Sequence, residues 1–198
     1  MRSLFLLSAA ALLMNAGVSS AAPIGPNLLT NGSFENELNG WTLHDSLLEY
    51  VHDSSGLLGT PPDGNYYLFL QRNTPYSGWV SSVSQTTQPL EIGQEYQVSG
   101  YYKTWSNIPT LTATLRVGSV DVVTMPVEST EGQWVYVEGT FVAAAATPTF
   151  QIRITGTQSA TLNIGIDGLA IHAVPEPAGL GILGGGGLML MARRRREA

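Results

Sequence analysis

Aromatic and basic side chains recur at alternate positions along several strand-like stretches of the chain. In "EYQVSGYYKTW", Tyr101, Lys103 and Trp105 fall on one side, because successive side chains of a strand point to opposite faces. Trp79 follows the loop "QRNTPYSG", and Arg153 lies on the polar side of "TFQIRIT". An exposed aromatic plane can stack on a pyranose ring, and polar groups beside it can bind the ring substituents. These five residues are the candidate ligand-binding residues, and their alternative role is packing.

Three of the basic residues, Lys103, Arg116 and Arg153, fall on the polar sides of their predicted strands. This pattern predicts that the three line one sheet face, which would suit an acidic polysaccharide. The alternative is that they pair with surface carboxylates, where each pair contributes less than about 1 kcal/mol.

Catalytic motifs are absent from the sequence, which has no Cys, no Gly-x-Ser-x-Gly, no His-Glu-x-x-His and no Gly-rich phosphate loop. Glu35 and Glu37 would form a glycosidase pair only if their carboxyls faced each other across a sugar. The sequence therefore predicts no catalytic residues and no enzymatic activity. A polysaccharide-active hydrolase is the less favoured alternative.

Composition and charge exclude some classes of protein. The 198 residues are 43% hydrophobic and only 12% charged, with 22 Gly, which favours an all-β domain. Residues 23–177 contain four Lys or Arg against fourteen Asp or Glu, a net charge of −10. A nucleic-acid partner is excluded, because neutralising phosphates requires a basic surface.

Alternation of period 2 recurs through the middle of the chain, and turn signals separate the alternating stretches. This pattern predicts one β-sandwich domain over residues 22–172, with a jelly roll as one solution. The predicted strands are 47–51, 65–71, 79–86, 95–105, 110–117, 133–142, 149–155 and 161–171.

Both ends of the chain resemble targeting segments. Arg2, an apolar run from Leu4 to Leu13 and small residues up to Ala21 predict a signal peptide over residues 1–21. At the other end, Ala178–Ala192 is an apolar run of fifteen residues, about 22 Å of helix and therefore short for a membrane span. The basic block that follows would stay in the cytoplasm; it comprises Arg193, Arg194, Arg195 and Arg196.

The last part of the chain, residues 173–198, resembles the PEP-CTERM sorting signal. The resemblance rests on Pro175, Glu176 and Pro177, the apolar run and the arginine block, in that order. It implies an inner-membrane intermediate held by a short transmembrane helix and processing by an exosortase-type protease. It also implies delivery to the cell surface or the extracellular polysaccharide matrix, as in a biofilm, of a Gram-negative bacterium.

The middle of the chain is similar to galactose-binding-like jelly rolls, particularly carbohydrate-binding modules of families 4 and 9. The opening "NLLTNGSFENELNGWT" carries most of the resemblance, and the closing "IGIDGLAI" adds to it. The resemblance implies that Trp41 and Trp134 are core residues. It also implies a structural calcium ion where the first and last strands meet, with Glu35 and Asp167 in ligand positions. The alternative is that Glu35 caps a turn and Asp167 faces solvent.

These observations together predict an exported, exosortase-processed surface protein whose β-sandwich binds extracellular polysaccharide. The competing prediction is a structural matrix protein with no discrete sugar ligand.

Overall fold

The computed structural model describes most of the chain between its two predicted targeting segments. The described residues are 25–44, 48–53, 56, 58–72, 76–107, 111–158 and 162–175. The predicted signal peptide and residues 176–198 of the predicted sorting segment lie outside them. Among the described residues, no helix has the length and apolarity that a membrane crossing needs.

Within these described ranges, ten antiparallel strands form two five-stranded sheets. Sheet A has the order β2-β3-β10-β5-β8, and sheet B has the order β1-β4-β9-β6-β7. The strands are β1 (Thr42–Leu43), β2 (Leu48–Asp53), β3 (Tyr66–Arg72), β4 (Tyr76–Thr86), β5 (Glu95–Thr104), β6 (Leu111–Val117), β7 (Val120–Pro126), β8 (Val135–Val142), β9 (Thr149–Gln158) and β10 (Leu162–Ala173).

The core lies between the two sheets and follows the alternation of the sequence. Val98 of β5, Ile164 of β10, and Leu115 and Ile152 of sheet B all belong to one buried cluster. Each is completely inaccessible to solvent, so apolar burial against the opposite sheet is the main stabilising contribution. The predicted β-sandwich is thereby confirmed, and Trp41 lies in its core as expected.

All eight predicted strands are present, with ends within three residues of the prediction. The prediction missed β7, because adjacent Val122 and Val123 interrupt the alternation there and Pro126 is unusual within a strand. Pro126 is tolerated because β7 is the edge strand of sheet B. The two-residue β1 was missed as well.

A bulge interrupts the pairing of β10 with β5 between Asp167 and Ala170. Gly168 adopts a left-handed conformation there, with φ of 56°, which glycine tolerates best. The bulge turns the side chain of Leu169 into the core and leaves its backbone carbonyl and N–H for the N-terminal segment. The Leu169 N–H donates to the Gly32 carbonyl at 3.0 Å.

Asn27 joins this N-terminal segment to β10 with three hydrogen bonds. Its Oδ1 accepts from the N–H groups of Leu29 and Ile171, at 2.9 and 3.0 Å, and its Nδ2 donates to the Leu169 carbonyl at 2.8 Å. One side chain thus replaces the strand pairing that the bulge removes. This explains the position of Asn27 in the opening motif of the domain.

We expect Asn27→Ala to lower the free energy of unfolding by about 2–4 kcal/mol, because three partly buried backbone groups lose their partner. Urea unfolding of the full chain measures the change. The exposed Asn39 serves as control, and Asn39→Ala should change the stability by less than about 0.5 kcal/mol. Equal effects of the two substitutions would contradict the role of Asn27.

Candidate functional site

The five candidate ligand-binding residues lie on two opposite sides of the sandwich. Tyr101, Lys103 and Trp105 are on or beside the outer face of sheet A, since they alternate with the core residues of β5. Arg153 is on the outer face of sheet B, between the core residues Ile152 and Ile154. The backbone of Trp79 pairs with Thr155 in sheet B. A single polysaccharide chain cannot contact both sets.

The prediction that Lys103, Arg116 and Arg153 line one face is therefore wrong for Lys103. Arg116 and Arg153 share the outer face of sheet B, on the neighbouring strands β6 and β9, whereas Lys103 belongs to sheet A. Alternation assigns a residue to the inner or outer side of its own sheet. It does not say which of the two sheets the strand joins.

Lys103 is buried beneath a covering loop, residues 58–65. Its Nζ donates to the Leu58 carbonyl at 2.6 Å and lies 5.8 Å from the ring centroids of both Trp105 and Trp134. Burial lowers the pKa of Lys103, and the two aromatic faces favour the ammonium form. Lys103 therefore holds the loop in place and is not accessible as a ligand contact.

A second, small hydrophobic cluster lies between the covering loop and sheet A. It consists of Leu58, Tyr67 and Phe69, with Trp134 packed against them. Trp134, predicted as a core residue, thus packs in this second cluster, and its Nε1 donates to the Thr60 carbonyl at 2.8 Å. A Cβ on Gly165 would lie 2.4 Å from the Leu58 side chain, so the loop requires glycine beneath it.

The outer face of sheet A is more exposed where Tyr101 of β5 lies beside β8. Tyr101 is half-buried there beside Tyr136 of β8, which is 49% exposed. Trp105 is 51% exposed and lies just beyond the end of β5. Sheet A thus carries exposed aromatic surface on both sides of the covered region.

The outer face of sheet B is a polar surface formed by three cross-strand rows. The strand registers place Thr155 beside Thr112 in the first row, Arg153 beside Thr114 in the second, and Gln151 beside Arg116 in the third. On β4, the corresponding positions are Trp79, Ser81 and Ser84. The face thus presents hydroxyl, amide and guanidinium groups.

The two arginines of this face have different surroundings. Arg116 donates to Asp121 at 3.0 Å in an ion pair, and also to the carbonyls of Gly118 and Ser119. Arg153 lies in the middle row, where Thr114 donates to its backbone carbonyl at 3.3 Å. Arg116 thus pairs with a carboxylate, as the alternative predicted, and stabilises the β6–β7 turn. Arg153 lies near the centre of the face.

The two candidate metal ligands, Glu35 and Asp167, lie beside Asp63 at the end of the covering loop. Asp167 is completely buried, so the alternative that it faces solvent is wrong. Its Oδ2 accepts from the Asp63 N–H at 2.9 Å, whereas its Oδ1 receives no hydrogen bond from any described residue. Glu35 Oε1 accepts from the N–H groups of Asn65 and Tyr66, both at 2.7 Å.

Burial raises the pKa of Asp167 to about 7. The backbone N–H groups of Asp63 and Gly168 lower the pKa, and the nearby charges of Asp63 and Glu35 raise it further. The carboxylate is therefore costly to ionise in this position without a cation. No group of three or more His, Asp or Glu side chains in the described part of the chain is arranged to hold a metal.

Sequence reasoning did not find Asp63, Leu58 or Tyr136. Asp63 belongs to the turn signal "PPDG", whose contact with Asp167 spans 104 residues. Tyr136 alternates correctly on the outer side of β8, so its exposure was a signal available in the sequence. Leu58 lies in a loop, and no local pattern predicts its burial against sheet A.

Known proteins resemble this chain in sequence and in fold. A family model described as a carbohydrate binding domain, of the 4/9 type, matches residues 26–161. The chain is also 23% identical over 194 residues to halomucin from Haloquadratum walsbyi, covering 89% of this chain and 2% of halomucin. The chain thus spans a very small part of that curated relative.

Solved structures with a similar fold include carbohydrate-binding domains and a cyclase. The xylan-binding domain CBM22-1 from Paenibacillus barcinonensis Xyn10C has a TM-score of 0.52 at 20% identity, covering 79% of this chain and 100% of that domain. The cyclase Fisc from Fischerella sp. TAU has a TM-score of 0.58 at 15% identity, covering 80% and 100%. At these identities, the likeness shows the fold alone.

The match to the family model is stronger evidence than these structural likenesses, because it extends over more than half of the sequence. It includes nine of the ten described strands, all but β10. On this basis, the chain belongs to the carbohydrate binding domain family of the 4/9 type.

Proposed function

We propose that this protein is an exported surface protein whose β-sandwich binds an extracellular polysaccharide on the outer face of sheet B. The observation that carries the proposal is the three-row polar face, with Arg153 in its middle row between Ser81 and Thr114. Thr112, Gln151 and Thr155 are half-buried on this face, and hydroxyl and amide groups on a rigid sheet are suited to binding sugar hydroxyls without a large ordering cost.

The ligand of this face is an acidic polysaccharide. Arg153 presents a planar guanidinium that can bind a uronate carboxylate through two hydrogen bonds. Trp79, next to Thr155 in the strand register, would supply the stacking surface for a pyranose ring. Sheet A is less suited to such a ligand around β5, because Lys103 is held beneath the covering loop.

Catalysis is not part of the proposed function. A hydrolase would need Glu35 and Glu37 as its carboxylate pair. The Oε1 of Glu35 instead accepts hydrogen bonds from two backbone N–H groups where the covering loop enters β3. It therefore acts as a loop cap. A purely structural matrix role remains the competing proposal, and it predicts no retention by any polysaccharide.

We also propose export and sorting of the chain. Backbone and side-chain hydrogen bonds hold it as far as Val174, whose N–H donates to the Glu95 carbonyl and whose carbonyl accepts from Gln94. The Pro-Glu-Pro stretch, Pro175 to Pro177, follows Val174 directly in the sequence, so cleavage there by a processing protease would leave all ten strands in the product. The apolar run and arginine block would hold the intermediate in the inner membrane.

A structural calcium ion is proposed at Asp167. The residues fit such an ion, because the Asp167 carboxylate is buried and its Oδ1 lacks a hydrogen bond from the described residues. Asp167 would hold the ion, with Glu35 beside it and with oxygen ligands from the adjacent backbone. A bound calcium ion would supply the positive charge that the three neighbouring carboxylates of this corner need.

Arg153→Ala should weaken binding of the full chain to polygalacturonate at least tenfold, because the guanidinium contact to the carboxylate is lost. Trp79→Ala should weaken it comparably through loss of stacking. Affinity electrophoresis measures both, and raising the salt concentration should weaken wild-type binding. Thr124→Ala, at an exposed position of the edge strand on the same face, is the control. Unchanged binding in both variants would contradict the proposed site.

Calcium should raise the melting temperature of the wild-type chain by several degrees at pH 8. Without calcium, stability should fall as the pH rises from about 4 to about 7, since the unfolded state ionises Asp167 first, and should level off above pH 7. Calcium stabilisation should be smaller at pH 5, where a proton competes for the same oxygen.

The isosteric Asp167→Asn substitution tests this assignment, since Asn can still accept from the Asp63 N–H. The variant should lose both the calcium effect and the pH dependence between 4 and 7. Thermal unfolding with calcium or with a chelator, at pH 5 and pH 8, measures both effects. A calcium shift of equal size in the variant would place the ion elsewhere.

Glu176→Ala should leave the protein in the membrane fraction of an exosortase-producing host, because the processing motif is broken outside the folded domain. The wild-type chain should be released as a shorter product, detected by mass spectrometry. Glu95→Ala, which removes an exposed carboxylate at the start of β5, is the control and should be processed normally. Equal release of both variants would contradict the sorting proposal.

A further inference from the structure

Exposed apolar side chains lie together at one end of the sandwich. Ile92 is 69% exposed, Val142 is 59% exposed and Val120 is 47% exposed. Ile92 precedes β5, Val142 is the last residue of β8 and Val120 is the first residue of β7. None of the three belongs to either hydrophobic core cluster, so packing of the core does not account for them.

A cavity of about 170 Å³ opens between the β6–β7 turn and the end of β8. Val120 and Val142 both line it, together with Phe141 and Pro148. Of the described residues that line it, Ser119 alone has a polar side chain. Next to it, residues 144–146 are three exposed alanines. This end of the sandwich is therefore an apolar surface, whereas exposed apolar residues are ordinarily scattered singly.

The charges around this surface are negative. Glu91 and Glu95 are exposed on either side of the turn that contains Ile92. The described segments that form this end contain no Lys or Arg, and Arg116, next to the β6–β7 turn, is paired with Asp121. An anionic partner would be repelled, so the surface suits an apolar partner without net charge.

The chain leaves the domain at this same end. The Val174 N–H donates to the Glu95 carbonyl at 3.0 Å, and the Val174 carbonyl accepts from Gln94 Nε2 at 2.6 Å. The preceding residue, Gly93, donates its N–H to the Ala143 carbonyl at 2.8 Å. These bonds place the C-terminal exit next to the exposed apolar side chains.

The link from this exit to the apolar run is short. Residues 175–177 alone separate Val174 from Ala178, and an extended chain spans at most about 14 Å between those two Cα atoms. The fifteen residues of the run would form about 22 Å of helix, against about 30 Å of hydrocarbon. So short a span draws its flanking residues toward the lipid. The end of the sandwich would then lie close to the membrane surface.

We propose that this apolar end, formed by Ile92, Val120, Val142 and residues 144–146, docks on the zwitterionic lipid surface of the membrane to which the chain is anchored. The docking rests on the proposed anchoring by residues 178–192. It would hold the sandwich upright, with the outer faces of both sheets directed sideways and open to a polysaccharide. After cleavage of the link, the apolar end alone would hold the domain only weakly, and the product would leave the membrane.

The test uses fluorophores attached to single introduced cysteines, because the chain has none of its own. Ala145→Cys reports on the apolar end. Asn107→Cys, exposed beyond the other end of β5, is the matched control. The labelled full chain is reconstituted in phosphatidylcholine vesicles that carry a quencher on the lipid head group. Quenching at Ala145→Cys should exceed quenching at Asn107→Cys at least threefold.

Ile92→Glu separates apolar docking from the nearness that the short link alone imposes. A charge within the apolar end should lower the quenching of the Ala145→Cys label at least twofold, while the chain still floats with the vesicles. Thr124→Glu adds the same charge at an exposed position in the middle of β7 and should leave the quenching unchanged. A melting curve for each variant verifies that the fold is intact.

The outcomes distinguish docking from anchoring. Equal quenching of the two labels in a chain that floats with the vesicles would overturn the docking and leave the anchoring intact, as would unchanged quenching in Ile92→Glu. A wild-type chain that does not float would overturn the anchoring and the docking with it. Stronger quenching in phosphatidylglycerol vesicles than in phosphatidylcholine vesicles would contradict the choice of a zwitterionic surface.

Discussion

The bulge in β10 is the constraint on which the rest of the structure depends. Between Asp167 and Ala170, the strand gives up regular pairing with β5, and the freed backbone binds the N-terminal segment through Gly32 and Asn27. The same bulge leaves the Asp167 carboxylate buried, facing the covering loop. One backbone irregularity therefore connects the start of the domain, its last strand and the loop that lies over sheet A.

This connection makes the two outer faces of the sandwich different. Over sheet A, the loop brings its own apolar residue, Leu58, and requires a cation, Lys103, to satisfy a carbonyl there. Over the corresponding part of sheet B, the outward side chains of β6 and β9 are polar and lie side by side without such a cluster among the described residues. Burial of part of the outer face of sheet A stabilises the fold, whereas the outward side chains of β6 and β9 are polar.

Local alternation predicted most of the strands and their buried sides. Ile152 and Ile154, for example, are core residues because every second position of β9 points toward the other sheet. The assignment of strands to sheets was not predictable, because an outward Lys103 and an outward Arg153 look alike in sequence. The covering loop was not predictable either, since the contact between Thr60 and Trp134 spans 74 residues of sequence. Family resemblance, rather than local pattern, identified Glu35 and Asp167 as neighbours.

The distribution of charge over the sandwich, more than the net charge of the domain, decides where an acidic ligand could bind. Residues 23–177 have a net charge of −10, so an acidic polymer is repelled by most of the surface. Arg116 is neutralised by Asp121, and Lys103 lies beneath the loop. The proposed binding of an acidic chain therefore depends on the position of Arg153, which would hold the chain in one place on the sandwich.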